Sequence, residues 1–287
     1  MKRRRVDVTF PSELPTGAGP TDLIAEFRLT KLRCLEEYDG RGRTGRSRPY
    51  VWTALLWGDD STVLQPPRFG GRGPATPRVV LKDGMSAGEE VDIPGRQNTF
   101  RFKAENAMSF AGFAAVVVVL FKRFDLPDKA VNAAYATFLQ ELPRISGDII
   151  FAYHQQHGGV PAADDEMAWA EILDDVQDEL MPLVKAAAQS SLSSWELFKL
   201  RVFGDLDETL GAKAESVNIK AATEHDELPV ERDFTLSFQR SKTVTVKRWE
   251  RPRRRPLGER SPSALQVTER FEIAGHLDAR HRPRLSL

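Results

Sequence analysis

The chain has 287 residues, with 41 Lys plus Arg against 41 Asp plus Glu, so its formal charge is zero. This excludes a surface uniformly attractive to nucleic acid or another polyanion; such a partner would need a local patch. At 41% hydrophobic and 29% charged, the chain is too apolar for wholesale disorder and long enough to bury a full core without staples. One cysteine, Cys34, rules out an internal disulfide and fits a reducing compartment. The longest apolar run, Phe113 to Phe121, is far short of the roughly 20 residues of a membrane helix. The basic start, Met1 to Arg5, has no apolar stretch behind it. The expectation is a soluble, cytoplasmic protein.

Residues 1–20 hold Pro11, Pro15, Gly17, Gly19 and Pro20 and read as an extended arm. Leu23, Ala25, Phe27 and Leu29 then alternate, and Leu32 and Cys34 alternate in the opposite phase, which predicts a strand with a bulge. A Gly- and Arg-rich loop leads to a second strand, Tyr50 to Trp57, closed by a turn at Gly58 to Ser61. Residues 66–78, with four prolines and three glycines, read as loop. Val79 to Leu81, Val91 to Ile93 and Phe100 to Phe102 are short strand candidates. The Val-rich run Ala114 to Phe121 predicts a strand buried on both faces.

At Asp125 the period changes. Asp125 as cap, Pro127 in the first turn and Asp128 near the positive helix end open a helix with a stripe of Val131, Ala134, Tyr135, Phe138 and Leu139. Asp164 to Glu166 opens a longer helix with an apolar seam of Trp169, Leu173, Val176, Leu180, Val184 and Ala187, kinked at Pro182. A short amphipathic piece follows from Ser194 to Leu200. Strand patterns return at Val217 to Ile219, Phe234 to Phe238, Thr243 to Val246 and Phe271 to Gly275, with a basic loop over 252–262 and a frayed tail from Ala279. Strands, then helices, then strands predict one β-sandwich with a helical excursion rather than βαβ units. The expected division is an arm over 1–20, sandwich over 21–124 and 202–277, a helical insertion over 125–201, and a tail over 278–287.

Two segments carry a family resemblance. Leu32-Arg33-Cys34-Leu35-Glu36-Glu37-Tyr38-Asp39-Gly40, followed by Ser47-Arg48-Pro49-Tyr50-Val51, resembles the opening of a C2 domain, the calcium- and lipid-binding sandwich. Asp207-Glu208-Thr209-Leu210-Gly211 resembles the end of that family's third calcium loop. The resemblance implies a mainly β fold, a C2-like antiparallel β-sandwich, carrying a helical insertion of about 80 residues in the third loop. Asp39 and Asp207 match the family's acidic positions, but Arg48 and the segment Lys122 to Phe124 stand where it has carboxylates. Two carboxylates are too few for an ion that takes roughly six to eight oxygens, so calcium is not expected.

Four arginines, Arg41, Arg43, Arg46 and Arg48, are interleaved with glycines in the first loop. They suit phosphates or another anionic surface; the alternative is pairing with the acidic flank of the second helix, Asp164 to Glu179. Arg253, Arg254 and Arg255 lie beside Trp249 in a second basic stretch, which either contacts the same kind of partner or forms a solvated hairpin tip. His154 and His157, three apart, read better as the end of a helix stopped by Gly158 than as metal ligands. No phosphate loop, nucleophile elbow or His-Glu-x-x-His motif is present, Cys34 reads as a buried small hydrophobe, and Asp59-Asp60 as a turn. The reading is a non-enzymatic binding or assembly module without cofactor, whose helical insertion and basic loops contact a protein partner or an anionic membrane surface. Two alternatives stand beside it: a subunit of a large homo-oligomeric assembly, and a membrane-active effector or toxin. Nucleic acid is not expected as a partner. The helical seam either meets a partner or packs on the sandwich.

Overall fold

The computed structural model describes residues 8–9, 21–37, 48–59, 68–74, 81–104, 112–123, 126–158, 166–194, 196–197, 208–220, 230–246 and 263–283. It is mainly β, with two largely antiparallel sheets and two long helices. The strands are β1 (Val8–Thr9), β2 (Thr21–Glu36), β3 (Pro49–Asp59), β4 (Arg68–Arg72), β5 (Glu90–Asp92), β6 (Thr99–Ala104), β7 (Gly112–Lys122), β8 (Glu208–Lys220), β9 (Val230–Val246) and β10 (Ser263–Pro283). A one-turn helix α1 (Gly95–Asn98) precedes β6, and α2 (Asp128–His157) and α3 (Glu166–Ser190) separate β7 from β8. The central sheet runs β1-β8-β7-β3-β4; the outer sheet runs β5-β2-β10-β9, with β6 also paired to β2.

Strand β7 is the middle of the molecule. Its even residues Ala114, Val116, Val118 and Leu120 join a core shared with the outer sheet, and its odd residues Phe113, Ala115, Val117, Val119 and Phe121 join a second core with the helices. A strand between two apolar layers needs no polar face, which is why its sequence does not alternate. The layers are therefore outer sheet, central sheet and helical hairpin. Each fully buried Val or Leu contributes on the order of 1.5–3 kcal/mol.

The phase change in β2 is a bulge. Ala274 pairs with Lys31 and Gly275 with Leu29, so Thr30 has no opposite residue. Its hydroxyl instead donates to the Ala274 carbonyl at 3.1 Å, and its carbonyl accepts from the Ile93 amide at 2.9 Å. Leu23, Ala25, Phe27, Leu29, Leu32 and Cys34 thereby all point into the intersheet core.

Several segments differ from expectation. Gly58 and Asp59 extend β3 rather than closing it, and strand β4 lies within the segment read as loop. Its glycines are there for proximity: a Cβ at Gly70 would overlap the Trp57 ring, and one at Gly71 would overlap Pro143 of α2. Leu81 is a bend, and Val79 and Val80 lie outside the described residues. Helix α2 starts at Asp128 with Pro127 at its N-cap, whose carbonyl accepts from Ala130 and Val131; Asp125 lies outside the described residues. Pro143 and Pro182 sit inside uninterrupted helices. Phe234 to Phe238 and Thr243 to Val246 belong to one strand, β9. The tail is not frayed through Pro283, because β10 pairs there with Thr21, and Ala279 is buried. From the arm, Val8 and Thr9 pair in parallel with Ile219 and Lys220.

The two helices form an antiparallel hairpin. Lys129 at the start of α2 reaches Glu196 beyond the end of α3 at 2.7 Å. Ser193 and Glu196 cap the helical turn that follows, the Ser193 amide donating to the Glu196 carboxylate at 2.8 Å and the Glu196 amide to the Ser193 hydroxyl at 3.3 Å. The buried stripe of α3 is Ala168, Ile172, Val176, Leu180, Val184, Ala188, continued by Leu192. Val176, Leu180 and Val184 of the expected seam are buried within the chain, against α2 and the central sheet. Leu173 and Ala187 are only half-buried; the side chain of Trp169 lies outside the described residues. The expected seam followed mixed steps of three and four, whereas the helix buries an unbroken i, i+4 ridge, which winds slowly around the axis.

Candidate functional site

At one pole of the molecule, β2 ends at Glu36, β3 begins at Pro49, β7 ends at Lys122 and β8 begins at Glu208. The register sets Pro49 opposite Lys122, and Lys122 opposite Glu208. In the outer sheet Arg270 of β10 faces Glu36, and β9 and β10 continue as a pair to Val246 and Ser263. The strand ends at Glu36, Pro49, Lys122 and Glu208 thus share this pole, and so do the ends joined by the basic connections.

The segment from Leu81 to Glu89 closes the pole from the side. The Leu81 amide donates to the Pro49 carbonyl at 3.0 Å, the Cys34 amide to the Glu89 carbonyl at 3.0 Å, and the Gly88 amide to the Cys34 carbonyl at 2.8 Å. Gly84 and Gly88 have positive φ, 81° and 86°, which a tight turn here requires. Met85, between them, is fully buried and plugs the intersheet core.

Below the pole lies a buried ion pair. The Lys122 ammonium donates to Glu269 Oε1 at 2.8 Å, with side chains 8% and 1% exposed. Both residues occupy inward positions of their strands, Lys122 two beyond Leu120 and Glu269 two before Phe271. Glu269 Oε2 has no hydrogen-bond partner among the described residues. Burial, with a smaller push from Glu37, raises the Cys34 thiol to about 12, so it stays protonated and is not a nucleophile near neutral pH.

Of the predicted contact residues, Arg48 is described: it is exposed and lies 3.4 Å from exposed Asp83, while its carbonyl accepts from the Arg123 amide at 2.9 Å. Arg41, Arg43, Arg46, Arg253, Arg254 and Arg255 lie outside the described residues, as do Asp39 and Asp207. The connections holding them join strands that end at this pole. Residues 247–262 contain seven Lys or Arg against two Glu, so that connection is strongly cationic.

The histidines are at the end of α2. Gly158 caps it in the left-handed region, its amide donating to the His154 carbonyl at 2.8 Å, and His157 stacks on Tyr153 at 4.2 Å. Among the described residues no three His, Cys, Asp or Glu cluster as metal ligands, and no helix is long and apolar enough to cross a membrane.

Sequence reasoning missed Lys122 and Glu269, although each is a charge in the inward phase of an otherwise apolar alternation. It also missed how the sheets are joined along β8 and β9. Arg232 of β9 donates to the Glu215 carboxylate and the Ser216 carbonyl, each at 2.8 Å, and Arg240 to the Thr209 carbonyl at 3.4 Å. These arginines occupy β8 carbonyls that an incoming strand would otherwise use.

The chain matches no protein-family model, no curated protein and no solved structure.

Proposed function

We propose that the chain is a non-enzymatic binding module of C2-like arrangement, which meets an anionic surface through its loop pole. The observation that carries this reading is the convergence of strand ends. Glu36 and Pro49 flank the connection holding Arg41, Arg43 and Arg46, Val246 and Ser263 flank the one holding Arg253 to Arg255, and exposed Arg48 ends the first. On this reading, two Arg-bearing connections that leave from one end of a neutral chain supply the local patch that zero net charge otherwise denies. The helical hairpin is the insertion between β7 and β8, which are direct neighbours and need only a turn to connect them. Calcium is not part of the proposal, since Arg48 and the segment Lys122 to Phe124 stand where the resemblance calls for carboxylates.

A second reading, a subunit of a homo-oligomer, is favoured by the β9–β10 ribbon, which runs past the end of β2 and, among the described residues, pairs with no further strand there. Light scattering of the protein alone and with acidic phospholipid vesicles separates the two. The first reading expects a monomer that shifts entirely to the vesicles. A concentration-dependent oligomer that ignores vesicles overturns it in favour of the second.

A further inference from the structure

We infer that Asp83 is a built-in competitor for the anion at Arg48, through which the segment Leu81 to Glu89 restrains the loop pole. The inference rests on the anion-binding reading of that pole and names a control on it. Of the arginines assigned to the patch, Arg48 is the one among the described residues. Its guanidinium already faces an anion: Asp83 Oδ1 lies 3.4 Å from its Nε, with the two side chains 81% and 57% exposed.

Both ends of this pair stand on fixed backbone. The Arg48 carbonyl accepts from the Arg123 amide at 2.9 Å, and the next carbonyl, that of Pro49, accepts from the Leu81 amide at 3.0 Å. On the other side of Asp83, Met85 is fully buried in the intersheet core. Asp83 therefore sits between two anchors, one of them bonded to the residue after Arg48. Gly84, at φ 81°, makes the turn between Asp83 and the buried methionine. Glu89 is engaged within the segment, accepting from the Ser86 amide at 2.8 Å and pairing with Lys82 at 2.9 Å. Asp83 is the carboxylate of the segment that reaches Arg48.

A carboxylate and a headgroup phosphate offer a guanidinium the same kind of oxygen acceptor. Asp83 holds the Nε side, where a phosphate would dock, and its charge opposes a second anion nearby. An arriving headgroup has to displace it. An exposed pair is weak enough to exchange, so Asp83 acts as a restraint and not as a block.

The test is co-sedimentation with mixed phosphatidylserine and phosphatidylcholine vesicles at about 0.1 M salt, where charges beyond roughly 10 Å are screened. Asp83→Asn should bind about two- to fivefold more tightly than the parent, the range that exposed pairs span. Asp233→Asn removes the same charge from an exposed site towards the other end of β9 and should bind as the parent does. In an Arg48→Ser background, Asp83→Asn should bring no further gain, because the arginine it competes for is gone. Circular dichroism checks that each variant keeps the fold, and Asp83→Ser repeats the measurement if Asn disturbs the turn. A parent that does not sediment overturns the anion-binding reading and this inference with it. A parent that binds, with Asp83→Asn no tighter than Asp233→Asn or with a gain that survives Arg48→Ser, overturns the inference alone.

Discussion

Replacing Lys122 with Met tests the buried pair beneath the loop pole. The partners are 2.8 Å apart. At an effective dielectric of about 20 their attraction is roughly 6 kcal/mol, but removing each ion from water costs several kcal/mol, so the intact pair contributes little net stability. Lys122→Met removes the attraction and leaves the Glu269 carboxylate 1% exposed with no counter-charge. The expected cost is about 3–5 kcal/mol, a fall in melting temperature of roughly 6–20 °C for a chain of this size. Lys122→Met with Glu269→Leu should recover most of the loss or exceed the parent, since an apolar pair of similar volume needs no compensation. Urea unfolding of parent, both single variants and the double variant, followed by circular dichroism, gives the coupling energy. If Lys122→Met alone stays within about 0.5 kcal/mol of the parent, the typical limit for surface changes, the pair is solvated and the reasoning fails.

Leu180→Glu should destabilise the whole protein by about 3–5 kcal/mol, because its side chain is 3% exposed between α2 and the central sheet; Leu173→Glu, at a half-buried position, should cost far less. Neither should change the mass in solution, and a Leu180→Glu protein that melts like the parent but loses assembly would return the seam to an intermolecular role. Stability should decline with rising pH from about 9 towards about 12, because the unfolded Cys34 thiol ionises first while the folded one holds its proton; burial of Tyr135 acts in the same direction. Cys34→Ala should flatten that alkaline decline in melting temperature, and an unchanged slope would show that the thiol is not protected. Calcium up to about 1 mM, the weak end of such sites, should leave the melting temperature unchanged, and a clear rise would restore a metal role to the pole.

The parts of the fold legible in the sequence were those where one residue type answers to one environment. The phase change after Leu29 identified the bulge at Thr30, the Val-rich run identified the strand between two cores, and Gly158 marked the end of α2. The strand in Arg68–Arg72 was not legible, because its glycines serve close approach of Trp57 and Pro143 and look like turn residues. The length of β10 was hidden by charges on its outward face, where His276 lies 2.9 Å from Asp233 and Arg270 lies 3.4 Å from Glu36. These pairs solvate one face of a strand whose other face holds Phe271, Ile273 and Leu277. At the site, the clustering of arginines could be read locally. That the two basic connections leave from one pole depends on pairing between β2 and β10, whose partners are 234 residues apart at Arg270 and Glu36.

The most direct test of the central claim is co-sedimentation with acidic and with neutral phospholipid vesicles across a salt series. The comparison is between the parent and a variant with Arg41, Arg43, Arg46, Arg48, Arg253, Arg254 and Arg255 changed to Ser. The parent should bind acidic vesicles at low salt, weaken as screening shortens towards roughly 3 Å at 1 M, and bind neutral vesicles poorly. The variant should keep the parent's fold by circular dichroism and lose most of that binding. Equal binding to neutral vesicles, or a folded variant that binds as the parent does, would contradict the assignment of the loop pole as an anion-binding surface.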